Sequence, residues 1–101
     1  MAEWVQATTV DAVPEGGGVE VTVNGRIVAV FRVGEEFFAL DGICPHAGGP
    51  LGKGRLDGTV VTCPWHGWQF DVRTGEHCLN PNICQASFPV KVEDGKVFVQ
   101  L

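Results

Sequence analysis

The sequence predicts an all-β fold, and three observations lead to this prediction. Short stretches in which apolar and polar residues alternate, typical of strands with one buried face, recur along the chain, as in residues 19–23. Fourteen glycines and six prolines among 101 residues are typical of short strands joined by tight turns. No segment of about ten residues has the periodicity of an amphipathic helix. A chain of this length is expected to form a single domain.

The predicted elements follow one another along the chain. A first strand is expected at residues 3–8, and residues 9–18 form a connection with room for one helical turn. Asn24–Gly25 is the strongest two-residue hairpin pattern, and it joins a strand at 19–23 to a returning strand at 26–33. Beyond these come a strand at 36–40, a stretch at 59–62 that leads into Cys63, a stretch at 69–71, an irregular stretch at 79–86, and a hairpin of strands 88–92 and 97–99. Turns are expected at 34–35, 57–58, 73–75 and 93–96.

Two short motifs carry the candidate chemistry. Cys44-Pro45-His46 has the form C-x-H, and Cys63-Pro64-Trp65-His66 has the form C-x-x-H. Each motif offers one thiolate and one imidazole, so two such loops can close on one metal centre. The candidate ligands are therefore Cys44, His46, Cys63 and His66. The proline after each cysteine fixes φ and stiffens the loop.

Two kinds of metal centre use two cysteines and two histidines. A structural zinc ion is one, although common zinc motifs pair C-x2-4-C with H-x3-5-H. A [2Fe–2S] cluster is the other. With two thiolates and two neutral imidazoles, such a cluster is formally neutral when oxidised and carries one negative charge when reduced. Reduction is therefore easier than at a four-cysteine cluster.

The two motifs closely resemble those of the Rieske family. The glycines at 48, 49 and 67 fit the resemblance, and Asn80–Pro81 lies where that family has a proline-containing loop over the cluster. The resemblance implies one [2Fe–2S] cluster per chain, with Cys44 and Cys63 on one iron and His46 and His66 on the other. It also implies the Rieske fold over residues 1–101, in which residues 1–40 and 86–101 form an antiparallel β-sandwich base and residues 41–85 form a smaller cluster-binding lobe.

Three features of respiratory-complex Rieske proteins are missing. Those proteins have a disulfide between the cluster loops, at positions matched here by Gly49 and Trp65. They have a serine where this chain has Trp68, and a tyrosine near the cluster, whereas this chain has no tyrosine. The sequence therefore resembles the soluble, lower-potential branch of the family. That branch includes the ferredoxins of ring-hydroxylating oxygenases and the small subunits of NAD(P)H nitrite reductases.

The resemblance implies electron transfer without catalysis. We expect a one-electron carrier between an NAD(P)H-dependent, flavin-containing reductase and a terminal oxygenase. One alternative is a permanent small subunit bound to a nitrite reductase large subunit. The other is a structural zinc-binding domain that interacts with another protein. The oxygenase subunits that also contain Rieske domains carry a mononuclear iron bound by two histidines and a carboxylate. Here only His77 lies outside the motifs, and we expect it at the surface.

Charge and composition exclude other classes of protein. The net charge of −5 argues against nucleic-acid binding, which depends on phosphate neutralisation, and permits a partner with a basic face. No apolar run is long enough to span a membrane. The N-terminus lacks the basic and apolar pattern of a secretory signal, so a cytoplasmic location is expected.

No specific function is expected of the remaining cysteines or of the basic residues near the motifs. Cys78 and Cys84 are expected to be reduced, partly buried thiols, with a disulfide between them as the alternative. Lys53, Arg55 and Arg73 are expected to be solvated charges. Trp68 is expected to pack against the core, or otherwise to line a docking face.

Overall fold

The structure is a computed structural model that describes residues 3–43, 50–65, 67–78, 83 and 85–101. The strands in these ranges are β1 (Trp4–Thr9), β2 (Gly17–Val23), β3 (Arg26–Val33), β4 (Glu36–Asp41), β5 (Arg55–Asp57), β6 (Val60–Thr62), β7 (Gln69–Asp71), β8 (Ser87–Phe88), β9 (Val90–Glu93) and β10 (Lys96–Gln100). Two short 3-10 turns lie at Val10–Ala12 and Leu51–Lys53. The all-β prediction is therefore confirmed. No helix in the described ranges has the length and hydropathy needed to cross a membrane.

The strands form three antiparallel sheets. Their orders are β1-β10-β9, β2-β3-β4-β8 and β5-β6-β7. The predicted hairpin at Asn24–Gly25 is confirmed, because Val23 pairs with Arg26 and both turn residues have positive φ, 51° and 78°. Positive φ at both central residues is the requirement of a type I′ turn.

The second sheet is a middle layer with a core on each of its faces. Along β3, Val28 and Val30 point into one core, whereas Ala29 and Phe31 point into the other. The first core also contains Val97 and Val99 of β10, and the second contains Val61 and Phe70 of the small third sheet. Because successive side chains of a strand point to opposite faces, the centre of β3, residues 28–31, is apolar at every position and buried on both faces.

Two features of the strands differ from the sequence prediction. The single strand expected at 88–92 is divided at Pro89: β8 pairs with β4, whereas β9 pairs with β10. Proline has no N–H with which to continue a ladder, so the chain leaves one sheet here and joins another. Strand β5 was not predicted, because its three residues, Arg55–Asp57, are too few to show a period.

The Leu51–Lys53 turn packs closely against the middle sheet. A Cβ added at Gly52 would lie 2.8 Å from the carbonyl oxygen of Val19 in β2. Real side chains do not tolerate such a distance from backbone, so glycine is required for this approach. The segment that follows the first motif is thereby held against the edge of β2.

Candidate metal centre

The structure describes one of the four candidate ligands, Cys63. Cys44, His46 and His66 lie outside the described residues. Within the described ranges no three His, Cys, Asp or Glu side chains come together in a metal-binding group. The set of four ligands therefore stays a prediction from the sequence. The segments that lead into and out of the two motifs lie within the described residues.

Cys63 directly follows β6 and has a buried side chain. Its side chain is 1% exposed and belongs to the core that contains Val61 and Phe70. An isolated thiolate is costly in such surroundings unless a positive charge compensates it. A cysteine in this position is therefore expected either to stay a neutral thiol or to bind a metal whose positive charge balances the thiolate.

The loop that starts at Cys63 is closed by its own backbone. The N–H of Cys63 donates a hydrogen bond to the carbonyl oxygen of Trp68, at 2.7 Å. Beyond it Thr62 of β6 pairs with Gln69 of β7, and Gly67 supplies a positive φ of 74°. Residues 63–68 thus form a tight connection between two adjacent strands, and the second motif occupies this connection.

The first motif is also held at both of its ends. Ile43 and Pro50 form an antiparallel bridge, and the N–H of Leu51 donates to the carbonyl oxygen of Gly42, at 2.9 Å. Gly42 in turn donates to the carbonyl oxygen of Ile27 at 3.0 Å. The two residues that flank the first motif, Ile43 and Pro50, therefore lie side by side next to the ends of β3 and β4.

Behind the second loop lies a group of three rings. The ring centroid of His77 lies 4.8 Å from that of Trp68 and 5.3 Å from that of Phe70, both in edge-on arrangements. Trp68 packs against the core and remains partly exposed, which confirms the expectation of core packing.

The prediction that His77 is a surface residue is wrong, since its exposed fraction is 9%. His77 forms a bridge with Phe70, and directly opposed residues point to the same face of a sheet. Because Phe70 faces the core, His77 does so as well. Cys78 is the next residue along the chain, and it is an exposed free thiol rather than the partly buried one expected. Cys84 lies outside the described residues.

Two large apolar side chains that lie in or next to the motifs in sequence are exposed. Trp65 is 52% exposed and Ile43 is 42% exposed, and Pro64 and Gly67 are exposed beside Trp65. Large apolar side chains that are exposed together on one face of a protein often mark an interaction site.

The three basic residues near the motifs are exposed, as expected. Arg73 is paired with Asp71, whose two carboxylate oxygens accept hydrogen bonds from Arg73 at 3.1 Å and 2.8 Å. These hydrogen bonds hold the pKa of Asp71 below its ordinary value, against the opposing effect of partial burial.

A buried polar residue, Gln85, was missed by sequence reasoning. It is 4% exposed and bonds to the segment that leads into the first motif. A glutamine in an irregular stretch gives no local pattern that would indicate burial. The nearby Gly75, whose φ is 84°, is the signal that could have drawn attention to a close backbone approach.

Comparison with known proteins extends over nearly the whole chain. The family model described as the Rieske [2Fe-2S] domain matches residues 3–96. The ferredoxin component of the p-cumate 2,3-dioxygenase system of Pseudomonas putida is 40% identical over 106 aligned positions, covering 100% of this chain and 88% of that protein. The ferredoxin component of the naphthalene 1,2-dioxygenase/salicylate 5-hydroxylase systems of a Ralstonia species is 35% identical, covering 97% of this chain and 95% of that protein.

Solved structures give the same picture. A complex of reduced oxygenase and oxidized ferredoxin in carbazole 1,9a-dioxygenase contains a chain that is 35% identical, with a TM-score of 0.85, over 95% of this chain and 91% of that one. A protein described as an NADH-dependent nitrite reductase small subunit from Mycobacterium tuberculosis has a TM-score of 0.90 over 100% of this chain and 96% of that one. Its identity is 24%, so this likeness concerns the fold alone.

Proposed function

The chain belongs to the Rieske [2Fe–2S] domain family, and on this basis we propose that it is a ferredoxin that carries single electrons to a terminal oxygenase. The relatives at 35% and 40% identity are ferredoxin components of dioxygenase systems. The structural observation that carries the proposal is the placement of Cys63. Its sulfur is buried in the core, at the start of a closed loop that exposes Trp65 to solvent.

The cofactor of the family is one [2Fe–2S] cluster, which gains and loses one electron when bound. Family membership favours this cluster over the structural zinc ion that the residues alone left open. We propose that Cys44 and Cys63 hold one iron and that His46 and His66 hold the other. Cys63 fits this role, because its buried sulfur needs a compensating positive charge when ionised.

The described residues near Cys63 have two functions in this proposal. The core around Cys63 excludes water from one side of the centre, since Val61 and Phe70 are fully buried. The hydrogen bond between the Cys63 N–H and the Trp68 carbonyl commits that N–H to closing the loop. The same N–H is then not free to bond a cluster sulfur, where it would help to set the reduction potential.

The exposed apolar surface around Trp65 and Ile43 is the proposed docking face for the oxygenase. Tryptophan is enriched among residues that dominate binding at protein interfaces. An exposed aromatic side chain suits a transient complex, because it can be desolvated cheaply and released quickly. A ferredoxin related to this chain occurs in complex with its oxygenase in the carbazole system.

The proposed electron donor is a flavin-containing, NAD(P)H-dependent reductase, and the proposed location is the cytoplasm, where NAD(P)H is available to that reductase. The chain itself is proposed to be non-catalytic. A mononuclear iron site needs two histidines beyond those of the cluster, and the sequence provides only His77. That histidine is buried against Trp68 and Phe70, which does not suit an open catalytic metal.

A permanent subunit of a nitrite reductase is the second candidate. The protein that favours it is similar in fold but lower in identity than the dioxygenase ferredoxins. Size-exclusion chromatography after mild purification separates the two candidates. A diffusible ferredoxin elutes as a free small protein, whereas a permanent subunit elutes with its large partner.

The proposal is tested by purification and spectroscopy. We expect a red-brown protein with iron and sulfide in equal amounts, and a reduced state with the low average g value of a mixed-ligand cluster. A reductase and oxygenase pair of the dioxygenase type should then turn over only when this protein is added. Colourless protein that contains zinc would contradict the cofactor, and coloured protein that never supports turnover would contradict the role of carrier.

A further inference from the structure

Gln85 makes two hydrogen bonds to the segment that leads into the first motif. Its side-chain nitrogen donates to the carbonyl oxygen of Asp41 at 2.6 Å and to that of Ile43 at 2.6 Å. A glutamine amide has two N–H groups, so both are used. The side chain is 4% exposed, which means that water is largely excluded as a substitute partner.

We propose that Gln85 is a positioning residue for the first cluster loop. Ile43 immediately precedes Cys44 in the sequence. A peptide unit is planar, so fixing a carbonyl group fixes the plane of the whole unit. By holding the carbonyls of Asp41 and Ile43 together, Gln85 sets the direction in which the chain enters residues 44–49. This inference rests on the proposed cluster-binding function.

The backbone of Gln85 connects this segment to the other side of the site. The N–H of Gln85 donates to the carbonyl oxygen of Gly75 at 2.7 Å, and the N–H of Asp41 donates to the carbonyl oxygen of Ala86 at 2.8 Å. A Cβ at Gly75 would collide with the carbonyl oxygen of Gln85. The turn after β7 is thus pressed against Gln85, and β7 itself leads out of the second cluster loop. One residue therefore links the segment before the first motif to the turn that follows β7.

The chemistry of the side chain explains why an amide fits this position. Asp41 and Ile43 present two carbonyl oxygens, both of which are acceptors. A carboxylate of the same size would place negative oxygens against them, and an apolar side chain would leave both without this donor. The nearby charged groups, Asp41 and Arg26, are paired with each other at 3.3 Å, so they do not replace the amide.

The test replaces Gln85 with methionine, which keeps the length and approximate volume of the side chain and removes both donors. We expect iron release to an added chelator, followed as bleaching of the visible absorbance, to become about tenfold faster, the factor expected from losing hydrogen bonds of ordinary strength. We also expect the electron paramagnetic resonance lines of the reduced cluster to shift or broaden. Both changes are expected because, without the amide, the direction of the chain after Ile43 is no longer fixed, and the first motif is held less uniformly.

The matched control is Gln69→Met. Gln69 is an exposed glutamine in β7 whose side chain bonds Thr62 at 3.2 Å. Its substitution removes a side-chain hydrogen bond close to the second motif without affecting the segment before the first. Iron release and the resonance spectrum should stay at wild-type values in this variant.

A purely structural role for Gln85 gives a different result. In that case Gln85→Met lowers the melting temperature while the resonance spectrum and the rate of iron release at low temperature match the wild type, and the proposal is overturned. If Gln85→Met does not yield folded protein, Gln85→Asn is measured instead. Its shorter amide can reach only one carbonyl, so release should fall between wild type and tenfold, and a wild-type rate overturns the proposal. Absence of a cluster from the wild-type protein itself would instead refute the proposed function.

Discussion

Cys63 and Cys78 are two free cysteines of the described residues, and they differ in burial. Cys63 is buried in the core at the start of the second motif, whereas Cys78 is exposed to solvent. We expect Cys63→Ser to lose its iron, because a serine oxygen is a poor substitute for a thiolate at an iron–sulfur cluster. Cys78→Ser should keep the full iron content. Iron analysis of both purified variants provides the measurement, and a loss of iron from Cys78→Ser would show that the ligand set is incomplete.

The pair Asp71 and Arg73 predicts a pH effect. Hydrogen bonds from Arg73 lower the pKa of Asp71 in the folded chain below its ordinary value of 3.8. A carboxyl whose pKa is lowered by folding stabilises the fold above its ordinary pKa, and this contribution is lost as the pH falls through the lowered pKa. The Arg73 side chain is exposed and solvent screens the pair, so the effect on stability is small.

Arg73→Ala removes the hydrogen bonds and should return the pKa of Asp71 toward its ordinary value. A carbon-13 NMR titration of the Asp71 carboxyl would show the midpoint moving to higher pH. Arg32→Ala is the control, since Arg32 bonds the carbonyl oxygen of Gly34 and stacks on Phe37. Equal midpoints in wild type and Arg73→Ala would contradict the assignment of the shift to Arg73.

At the scale of elements, the turns depend on glycines for two different reasons. Gly75 and Gly95 both have positive φ, 84° and 72°. A Cβ at Gly95 would meet nothing within 4 Å, whereas at Gly75 it would collide with the backbone of Gln85. We expect Gly95→Ala to cost about 1 kcal/mol of unfolding free energy, the cost of left-handed backbone for alanine. Gly75→Ala should cost at least about 2 kcal/mol more, since backbone must move as well.

Thermal or denaturant unfolding of the two variants measures this difference, and chelator release reports on the site. Gly75→Ala should also release iron faster, because Gln85 holds the segment before the first motif. Gly95→Ala lies at the β9–β10 turn and should leave the release rate unchanged. Equal losses of stability in the two variants would contradict the close approach at Gly75.

The elements also show what the sequence could and could not predict. The Asn24–Gly25 hairpin was predictable because its geometry is set by two adjacent residues. The division at Pro89 and the burial of His77 were not, since each depends on which distant strand lies alongside. The ligand motifs were recognisable because their spacing is local. Gln85 was not, because its importance arises from carbonyl groups more than forty positions earlier.

At the scale of the whole molecule, the three sheets place β5-β6-β7, with Cys63 directly after β6, on one side of a middle layer and the β1-β10-β9 sheet on the other. The sheet β2-β3-β4-β8 separates two cores, one containing Cys63 and the other containing Val97 and Val99. Both ligand motifs follow strands that border the core containing Cys63. The middle sheet thus lies between Cys63 and the remote β1-β10-β9 sheet.

Two exposed tryptophans lie in different parts of this arrangement, one in the second motif and one in the β1-β10-β9 sheet. Trp65 lies in the second cluster loop and is 52% exposed, whereas Trp4 lies in β1 of the remote sheet and is 40% exposed, with the Lys91 nitrogen 4.9 Å from its ring centroid. If the oxygenase docks on the cluster side, Trp65→Ala should lower kcat/KM for oxygenase reduction by about tenfold to a hundredfold, the range for loss of a residue that dominates an interface.

We expect that loss because Trp65→Ala removes a contact with the oxygenase, and not because it changes the cluster. Trp65→Ala should therefore keep the visible spectrum and the iron content of the wild type. Trp4→Ala removes a side chain of the same kind from the far sheet, so it should leave kcat/KM unchanged while lowering stability slightly through the lost cation–π contact. Stopped-flow reduction of the oxygenase by each pre-reduced variant gives the comparison. A larger loss with Trp4→Ala than with Trp65→Ala would place the docking face on the β1-β10-β9 sheet, and the electron would then have to cross the middle layer to reach its acceptor.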